Sequence, residues 1–250
     1  LSLDTAALCG ESDSGLFYYT YVFRQGKDEL LASACDNVNF TLVRENWQEF
    51  RLTVYRPEYR VPEWLGGGIM YHIFLDRFAK GEGKTGYRAD SILDPDWENG
   101  VPQYAEYRGA EVKNNHFFGG NLWGIIEKLD YLESLGVSIL YLSPIFDAVS
   151  NHKYDTSDYM KIADEFGGEA AFKALIGAAH ARGMKIILDG VFNHTGSDSR
   201  YFDEYGRYGL PARDPASPYH SWYDFHAPEK EGAPDYTAWW GIRILPRLNT

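Results

Sequence analysis

Three short polar segments, each of which follows an apolar run, carry the side chains best suited to bind a polar ligand. The first contains Asp76 and Arg77, the second spans residues 151–156, and the third spans residues 189–194. All three contain a carboxylate, and the last two also contain a histidine. Carboxylates and histidines make hydrogen bonds and can hold or move protons. The sequence therefore predicts a polar, hydrogen-bonding site where these three segments meet.

Each candidate residue in these segments also has a purely structural explanation. Asp76 and Arg77 are an adjacent pair of opposite charge, which could equally be a brace for a loop. Asp189 follows a buried strand, where a carboxylate without a partner would be unfavourable, and this favours a role in the site. His194 lies five residues further along the chain, which makes it a candidate hydrogen-bond donor to a substrate. Tyr154, taken alone, is explained by packing.

Parallel β-strands are expected to position these segments. Residues 69–75, 137–142 and 184–188 are near-continuous apolar runs, which are typical of strands buried on both faces. In parallel α/β folds the ligand site lies at the carboxyl ends of the strands. Since each polar segment follows such an end, the sequence predicts that the three segments share one face of the fold.

Two amphipathic helices separate the predicted strands. Apolar residues recur at helical spacing over residues 122–135 and 172–179, and Gly136 and Gly183 stand where helices commonly end. The alternation of strands and helices predicts βαβ units and a parallel sheet, with the helices outside the strands. Three strands of this kind are too few for a complete eight-stranded barrel, which typically takes about 250 residues.

The other regions of the chain have a different character. Residues 1–62 contain β-forming runs, among them residues 38–43 and 50–54, and predict a small sheet domain. Residues 80–115 are polar and without periodicity, which predicts a long loop. Residues 195–250 are rich in glycine, proline and aromatic residues and contain no clear helical pattern.

The composition limits the classes of partner and substrate. The chain of 250 residues has a formal net charge of −12, which disfavours nucleic acid and anionic membranes as partners. No apolar run has the length of a membrane-spanning helix. No signal peptide is visible, so the localisation stays unknown with a slight preference for the cytoplasm. Aromatic residues make up 16% of the chain, which fits an aromatic core and a sugar ligand equally well.

Sequence motifs of several other enzyme classes are missing. The chain contains no HExxH, paired CxxC, GxSxG, P-loop or GxGxxG motif, which disfavours zinc enzymes, α/β-hydrolases and nucleotide-binding enzymes. Residues 94–100 resemble the start of a calcium-binding loop but lack the glycine at the sharp turn. The sequence therefore requires no cofactor, and calcium held by irregular Asp- and Asn-rich loops is the option it leaves open.

Five segments resemble motifs of the α-amylase family of glycoside hydrolases, in the order in which the family has them. Residues 68–78 (GIMYHIFLDRF) are similar to the first barrel strand, and residues 189–194 (DGVFNH) to the family's first conserved motif. Residues 117–132 and 151–156 are similar to a helix and a loop of its neopullulanase and cyclomaltodextrinase branch. Residues 245–249 (LPRLN) resemble the motif that closes the inserted domain B.

The resemblance implies a retaining hydrolase of α-1,4-linked glucans such as starch, maltodextrin, pullulan or cyclodextrin, with α-1,6 linkages as a further option. Such enzymes use a carboxylate nucleophile and a carboxylic general acid that lie about 5–5.5 Å apart. Both carboxylates would lie beyond residue 250, so this chain alone is expected to be inactive. His72, Leu75 and Arg247 depart from the residues frequent in the family, which leaves the specificity open.

The resemblance also implies roles for individual residues around the sugar. The substrate-binding residues would be Tyr154, His194, His152 and Asp76, and the supporting residues Asp155, Asp189 and Asn193. Tyr154 would stack on the sugar in the −1 subsite, and His194 would donate hydrogen bonds to its hydroxyl groups. Asp155 and Asp189 would brace an arginine near the nucleophile, and Asn193 would be structural or close to a metal.

The implied fold is α/β: the first part of a (β/α)8 TIM barrel with an inserted domain B, preceded by part of a β-sandwich domain. Residues 1–62 would form the C-terminal part of a sandwich of the glucan-binding type. Residues 63–194 would form barrel strands one to three with their helices, and residues 195–250 would form the domain B-like insertion. An exposed barrel edge at the third strand would favour self-association.

Two further interpretations of the sequence differ in functional class. The chain could belong to a non-catalytic protein that binds α-glucan or serves as a scaffold on the same fold, in which case the downstream carboxylates would be missing or replaced. A sugar isomerase or lyase on a true barrel would need a constellation of metal ligands, and the sequence contains none.

Overall fold

The chain forms two compact units, Leu1–Gly66 and Gly67–Thr250, and each is described by itself. The computed structural model describes residues 4–10, 14–36, 39–56, 58, 60–107, 110, 112–228 and 230–249. In these parts of the chain, no helix combines the length and the apolar character that a bilayer crossing requires. The domain boundaries predicted after residues 62 and 194 stay predictions.

In its described residues, the first unit contains a short helix and five antiparallel strands. They are α1 (Thr5–Cys9), β1 (Gly15–Tyr19), β2 (Val22–Gln25), β3 (Asp28–Ala34), β4 (Phe40–Val43) and β5 (Phe50–Val54), followed by a 3₁₀ turn at Glu63–Leu65. β1 pairs with β5, and β2, β3 and β4 form a second sheet in that order. α1 departs from the predicted all-β character, because Asp4 accepts a hydrogen bond from the Ala7 N–H and caps the turn.

Local sequence signals explain the strands of this unit. Gly26 has a φ of +63°, which glycine adopts without strain and which closes the tight turn between β2 and β3. In β5, Phe50, Leu52 and Val54 are more buried than the residues between them, as the period of two predicts. Of the strand predicted at 38–43, Val38 lies outside the described residues, and β4 begins at Phe40, after Asn39.

The second unit is an α/β arrangement around a parallel sheet. Its elements are β6 (Ile69–Ile73), α2 (Leu75–Phe78), β7 (Ile92–Leu93), β8 (His116–Phe117), α3 (Leu122–Glu127), α4 (Leu129–Ser134), β9 (Val137–Leu142), β10 (Phe146–Ala148), β11 (Thr156–Ile162), α5 (Gly168–Ala181) and β12 (Lys185–Leu188). Three further 3₁₀ turns are formed by Asp164–Phe166, His220–Trp222 and Trp239–Gly241. β6, β9 and β12 are parallel, with β9 in the centre, which confirms the predicted parallel sheet.

The three parallel strands differ in their burial. β9 is paired on both sides and mostly buried, as predicted. The prediction of a strand over residues 69–75 that is buried on both faces is wrong: Ile69 and Met70 are 52% and 44% exposed, and the strand ends at Ile73. β6 pairs with β9 alone among the described strands, so its first residues lack cover, and Leu75 already belongs to α2.

The helices cover the sheet and form the main core with it. The core includes Leu140 and Leu142 of β9, Met184 just before β12, and, from α3, α4 and α5, Leu122, Ile125, Leu129, Leu132 and Leu175. The single helix predicted over residues 122–135 is interrupted at Lys128, whose N–H bonds the carbonyl of Ile125 in a tighter turn. Gly136 follows α4 with a φ of +77°, and it ends this region as predicted.

Helix α3 approaches the preceding loop so closely that Gly124 has no room for a side chain. A Cβ atom there would lie 2.1 Å from the carbonyl oxygen of Ala79, whereas a Cβ at Gly177 in α5 would meet nothing within 4 Å. We expect Gly124→Ala to lower the free energy of unfolding by about 1–3 kcal/mol through this overlap. Gly177→Ala should raise it by about 0.5–1 kcal/mol, because alanine favours the helix. Urea unfolding of both variants checks this, and equal effects would contradict the close contact.

Candidate functional site

The predicted site lies at the carboxyl ends of β9 and β12, together with the loop between β10 and β11. Asp189 follows β12 directly, and its N–H donates to the Leu142 carbonyl at 3.1 Å, which holds the two strand ends side by side. From the loop, the Tyr154 hydroxyl donates to Asp189 Oδ2 at 3.0 Å. The polar segments after the second and third parallel strands therefore meet, as the sequence predicts.

Tyr154 is partly exposed to solvent, with 36% of its surface accessible. Partial burial, and after it the hydrogen bond and the charge of Asp189, raise the pKa of Tyr154 to about 12. The hydroxyl therefore keeps its proton at neutral pH and remains a donor to the carboxylate. Burial and the same carboxylate also raise the pKa of Tyr141, which lies near the carboxyl end of β9.

His194 holds the backbone of Tyr154 from the other side. Its Nε2 lies 3.0 Å from the Tyr154 carbonyl oxygen, and its Nδ1 lies 3.0 Å from Nδ2 of Asn193. We assign the neutral tautomer with the proton on Nε2, because that form donates to the carbonyl and accepts from the amide. His194 is buried, and the expected hydrogen bond to a sugar would require Nε2 to leave Tyr154.

The loop itself is shaped by Ser150, which sequence reasoning missed. The Ser150 hydroxyl donates to Asp155 and lies 3.0 Å from Nδ1 of His152, while its own N–H donates to Asp155 at 3.2 Å. The N–H of Tyr154 in turn donates to His152 Nδ1 at 3.1 Å. Ser150 stands one residue before the recognised motif, and nothing in its residue type marks it beyond a hydroxyl close to a carboxylate.

One network of hydrogen bonds and close polar contacts thus includes six of the seven predicted site residues. They are Asp155 and His152, linked through Ser150, then Tyr154 with Asp189 on one side and His194 with Asn193 on the other. Residues 245–249, the last motif along the chain, contact the same group of residues, because the Leu248 N–H donates to the Asn193 carbonyl at 2.9 Å. Segments far apart in sequence therefore support the loop that carries Tyr154.

Asp76 does not belong to this network. Its carboxylate is fully buried and accepts hydrogen bonds from the N–H groups of Phe118 and Gly119 at 3.0–3.1 Å. It also pairs with Arg77, whose guanidinium lies 4.0 Å from the centre of the Phe118 ring. All its acceptor capacity is thus directed at protein groups, and a sugar has no exposed atom of Asp76 to contact.

A buried ion pair anchors the loop that carries Tyr154, and the sequence did not predict it. Lys153 is fully buried; its Nζ donates to the Ala148 carbonyl at 2.8 Å and lies 3.1 Å from Oε2 of Glu165. The ammonium also lies over the Phe117 and Phe166 rings, at 5.0 and 5.4 Å from their centres. Burial lowers the pKa of Lys153, and the charge of Glu165 opposes this shift.

The loop considered for calcium uses its carboxylates for its own structure. Asp96 accepts hydrogen bonds from the N–H groups of Glu98 and Asn99. Oδ2 of Asp94 lies 2.9 Å from Nε2 of His116. Within the described ranges, no three His, Cys, Asp or Glu side chains are grouped as a metal site would require. Binding of calcium therefore stays a prediction.

The two site histidines make stability depend on pH in a defined direction. Burial lowers the pKa of both His152 and His194, so the folded chain binds their protons less readily than the unfolded chain. Their contribution is present above pH 6.5, the ordinary histidine value, and is lost as the pH falls towards the lowered values. We expect His194→Gln to lose less stability than the wild type between pH 7.5 and 5.5. Urea midpoints measure this, with exposed His180→Gln as the control, and an unchanged slope in His194→Gln would contradict the assignment.

The fold and site define a class: a parallel α/β chain with a polar, tyrosine-presenting site at the carboxyl ends of its strands, the place where barrel enzymes bind substrates. Residues 72–242 match the family described as "Alpha amylase, catalytic domain". The amylopullulanase of Thermoanaerobacterium saccharolyticum is 41% identical over 254 residues, which cover 92% of this chain and 19% of that relative. Neopullulanase 2 of Thermoactinomyces vulgaris is 37% identical over 201 residues, covering 79% of this chain and 31% of the relative.

A solved structure of a cyclomaltodextrinase superposes with a TM-score of 0.59 at 29% identity, over 93% of this chain and 37% of that one. The chain belongs to the α-amylase family, which confirms the resemblance and its branch. The catalytic domain of this family is a (β/α)8 barrel, and this chain contains an α/β part of it. The chain spans less than one third of the length of the two curated relatives above.

Proposed function

We propose that this chain supplies the sugar-binding front part of a glycoside hydrolase that acts on α-1,4-linked glucans, with α-1,6 linkages as a further option. The observation that carries the proposal is the partly exposed side chain of Tyr154, whose hydroxyl is held by Asp189 and whose backbone N–H and carbonyl are held by His152 and His194. A flat apolar ring with hydrogen-bonding groups at its edge suits a pyranose, which has an apolar face and a rim of hydroxyl groups.

The proposed domain arrangement follows from the order of the elements. β6, β9 and β12 neighbour each other in chain order, as the first three strands of a (β/α)8 barrel would. Residues 195–250 would be the inserted domain B, since they form a small aromatic cluster of their own around Phe202 and Tyr236. Residues 1–62 would be the last part of a β-sandwich, and their two antiparallel sheets support this.

The roles of the individual residues differ in part from those that the resemblance implies. Tyr154 stacks on the sugar, while Asp189 and His194 act as positioning residues that fix its hydroxyl and its carbonyl. Asp155 shapes the loop through Ser150, and Asp76 braces the turn at Phe118 rather than binding sugar. A retaining mechanism needs a carboxylate nucleophile and a carboxylic acid, and these three carboxylates are all engaged by protein groups. The chain alone would therefore bind glucan without cleaving it.

Isothermal titration of the 250-residue chain with maltohexaose tests this proposal, with β-linked cellohexaose as the control. We expect saturable binding of maltohexaose, no binding of cellohexaose, and no release of reducing sugar from maltohexaose. Absence of maltohexaose binding would refute the sugar-binding function. Turnover by this chain would refute the assignment of the reactive carboxylates to another part of the enzyme, and it would also rule out a purely scaffolding role.

Self-association of the 250-residue chain is part of the same proposal. Among the described strands, β12 has a neighbour on one side only, and the free edge of a parallel strand can pair with another chain. Light scattering on the purified chain should give a mass above that of a monomer, and a strictly monomeric species would contradict this.

A further inference from the structure

Three aromatic rings form a stack that leads from the site to the surface. The ring of His194 lies against Trp239 with centres 5.1 Å apart and planes at 27°. Trp239 in turn lies against Trp240 with centres 4.4 Å apart and planes at 9°, so the two indoles are almost parallel. The inner ring of the stack is the one that contacts the carbonyl of Tyr154, and the outer ring faces solvent.

Both the exposure of the Trp240 side chain and its backbone conformation are unfavourable for folding. It is 85% exposed, although it is the largest apolar side chain, and its φ of +51° lies in the left-handed region that residues other than glycine rarely adopt. Hydrogen bonds fix the turn around it: Trp239 N–H donates to the Leu245 carbonyl, and Ile242 N–H donates to the Trp239 carbonyl, both at 3.0 Å. An unfavourable backbone conformation that presents an exposed ring points to a function for that ring.

The surroundings of Trp240 fit a sugar. The neighbouring residues Ala238 and Gly241 line an open groove of about 660 Å³, together with hydrogen-bonding side chains such as His226, Lys230 and Arg243. The chain neighbours of Trp240 thus line a groove whose side chains suit the hydroxyl rim of a glucosyl unit, while the exposed indole itself suits the apolar face.

We propose that Trp240, backed by Trp239, is an accessory subsite that stacks on a glucosyl unit of an α-glucan chain, separate from the unit held at Tyr154. This proposal rests on the proposed function, since it takes the same class of ligand. Trp240 is linked through Trp239 and His194 to the backbone of Tyr154. We therefore expect a long maltooligosaccharide to contact both rings, and maltose to contact one of them. The subsite therefore selects for chain length.

Titration of the 250-residue chain with maltose and with maltoheptaose tests the subsite. Trp240→Ala and Trp240→Asn both remove the ring, and asparagine also tolerates the left-handed backbone conformation. We expect both variants to bind maltoheptaose about tenfold more weakly, as the loss of one stacking contact predicts, and to bind maltose as the wild type does. The melting temperature of Trp240→Asn should equal or exceed that of the wild type. Tyr205→Ala, which removes another exposed ring of the second unit, should change neither affinity.

The possible outcomes separate this subsite from the proposed function. Unchanged maltoheptaose affinity in both Trp240 variants overturns the subsite and leaves binding at Tyr154 intact. An equal loss for maltose and maltoheptaose also overturns it, because Trp240 would then act on the Tyr154 site. A lower melting temperature in both variants shows that the ring serves packing and overturns it as well. A wild-type chain that binds neither sugar overturns the proposed function and the subsite together.

Discussion

Replacement of Lys153 by methionine is expected to destabilise the second unit by about 3–5 kcal/mol, the range for breaking a buried ion pair from one side. Methionine fills most of the space of the lysine stem but leaves Glu165 with its charge and without the ammonium. The carboxylate is almost completely buried, and its next cation is Arg88, at 3.9 Å between Nε and Oε1. The loss should therefore fall near the lower end of that range.

The comparison with two other variants isolates the buried charge. Lys153→Met combined with Glu165→Gln removes both charges and should recover more than half of the lost stability, since a neutral pair needs no compensation in the interior. Lys173→Met removes a cation that pairs with Glu169 on the exposed face of α5, and it should change stability by less than about 0.5 kcal/mol.

Urea unfolding followed by near-ultraviolet circular dichroism measures all three variants. If Lys153→Met and Lys173→Met had the same small effect, the buried pair would contribute nothing specific, and the anchoring role of Lys153 would be wrong. If the double variant were less stable than Lys153→Met, the uncompensated charge of Glu165 could not be the cause of the loss.

The general position of the site was predictable because strand ends leave a strong sequence signal. An apolar run followed at once by polar residues marks the carboxyl end of a buried strand, and Asp189 was found in this way. The resemblance added roles for Tyr154, His152 and Asp155, and polar contacts bring these residues together in one loop. The topology of β6, β9 and β12 followed from the same alternation of strands and helices.

Burial and the choice of partner were not predictable from residue types. From its residue type, Lys153 is expected to be exposed, since lysine is almost never fully buried unless it is paired. Asp76 was expected to face the sugar, but the carboxylate is turned towards two backbone N–H groups that lie more than forty residues away in sequence. The exposure of Ile69 likewise depends on a neighbouring strand rather than on its own side chain. Such properties are set by tertiary contacts that no local pattern encodes.

Removal of the Tyr154 ring is expected to have the largest effect on binding. Tyr154→Ala takes away the stacking surface and the hydrogen bond to Asp189, and we expect affinity for maltohexaose to fall about 10–100-fold, which corresponds to about 1.4–2.8 kcal/mol. Tyr154→Phe keeps the ring and removes only the hydroxyl, so it should weaken binding a few-fold. Since the raised pKa keeps the tyrosine protonated, the wild-type affinity should not change through this group between pH 6 and 9.

Isothermal titration of the three forms separates the ring from its support. Tyr131→Ala, which removes an exposed tyrosine from the outer helix α4, is the matched control and should bind maltohexaose like the wild type. Tyr154→Ala should also leave the melting temperature close to that of the wild type, because its ring is partly exposed and Lys153 still anchors the loop. Wild-type affinity in Tyr154→Ala would mean that the sugar binds elsewhere. An equal loss in Tyr154→Phe and Tyr154→Ala would mean that the hydroxyl and its contact with Asp189, rather than the stacking surface, carry the binding.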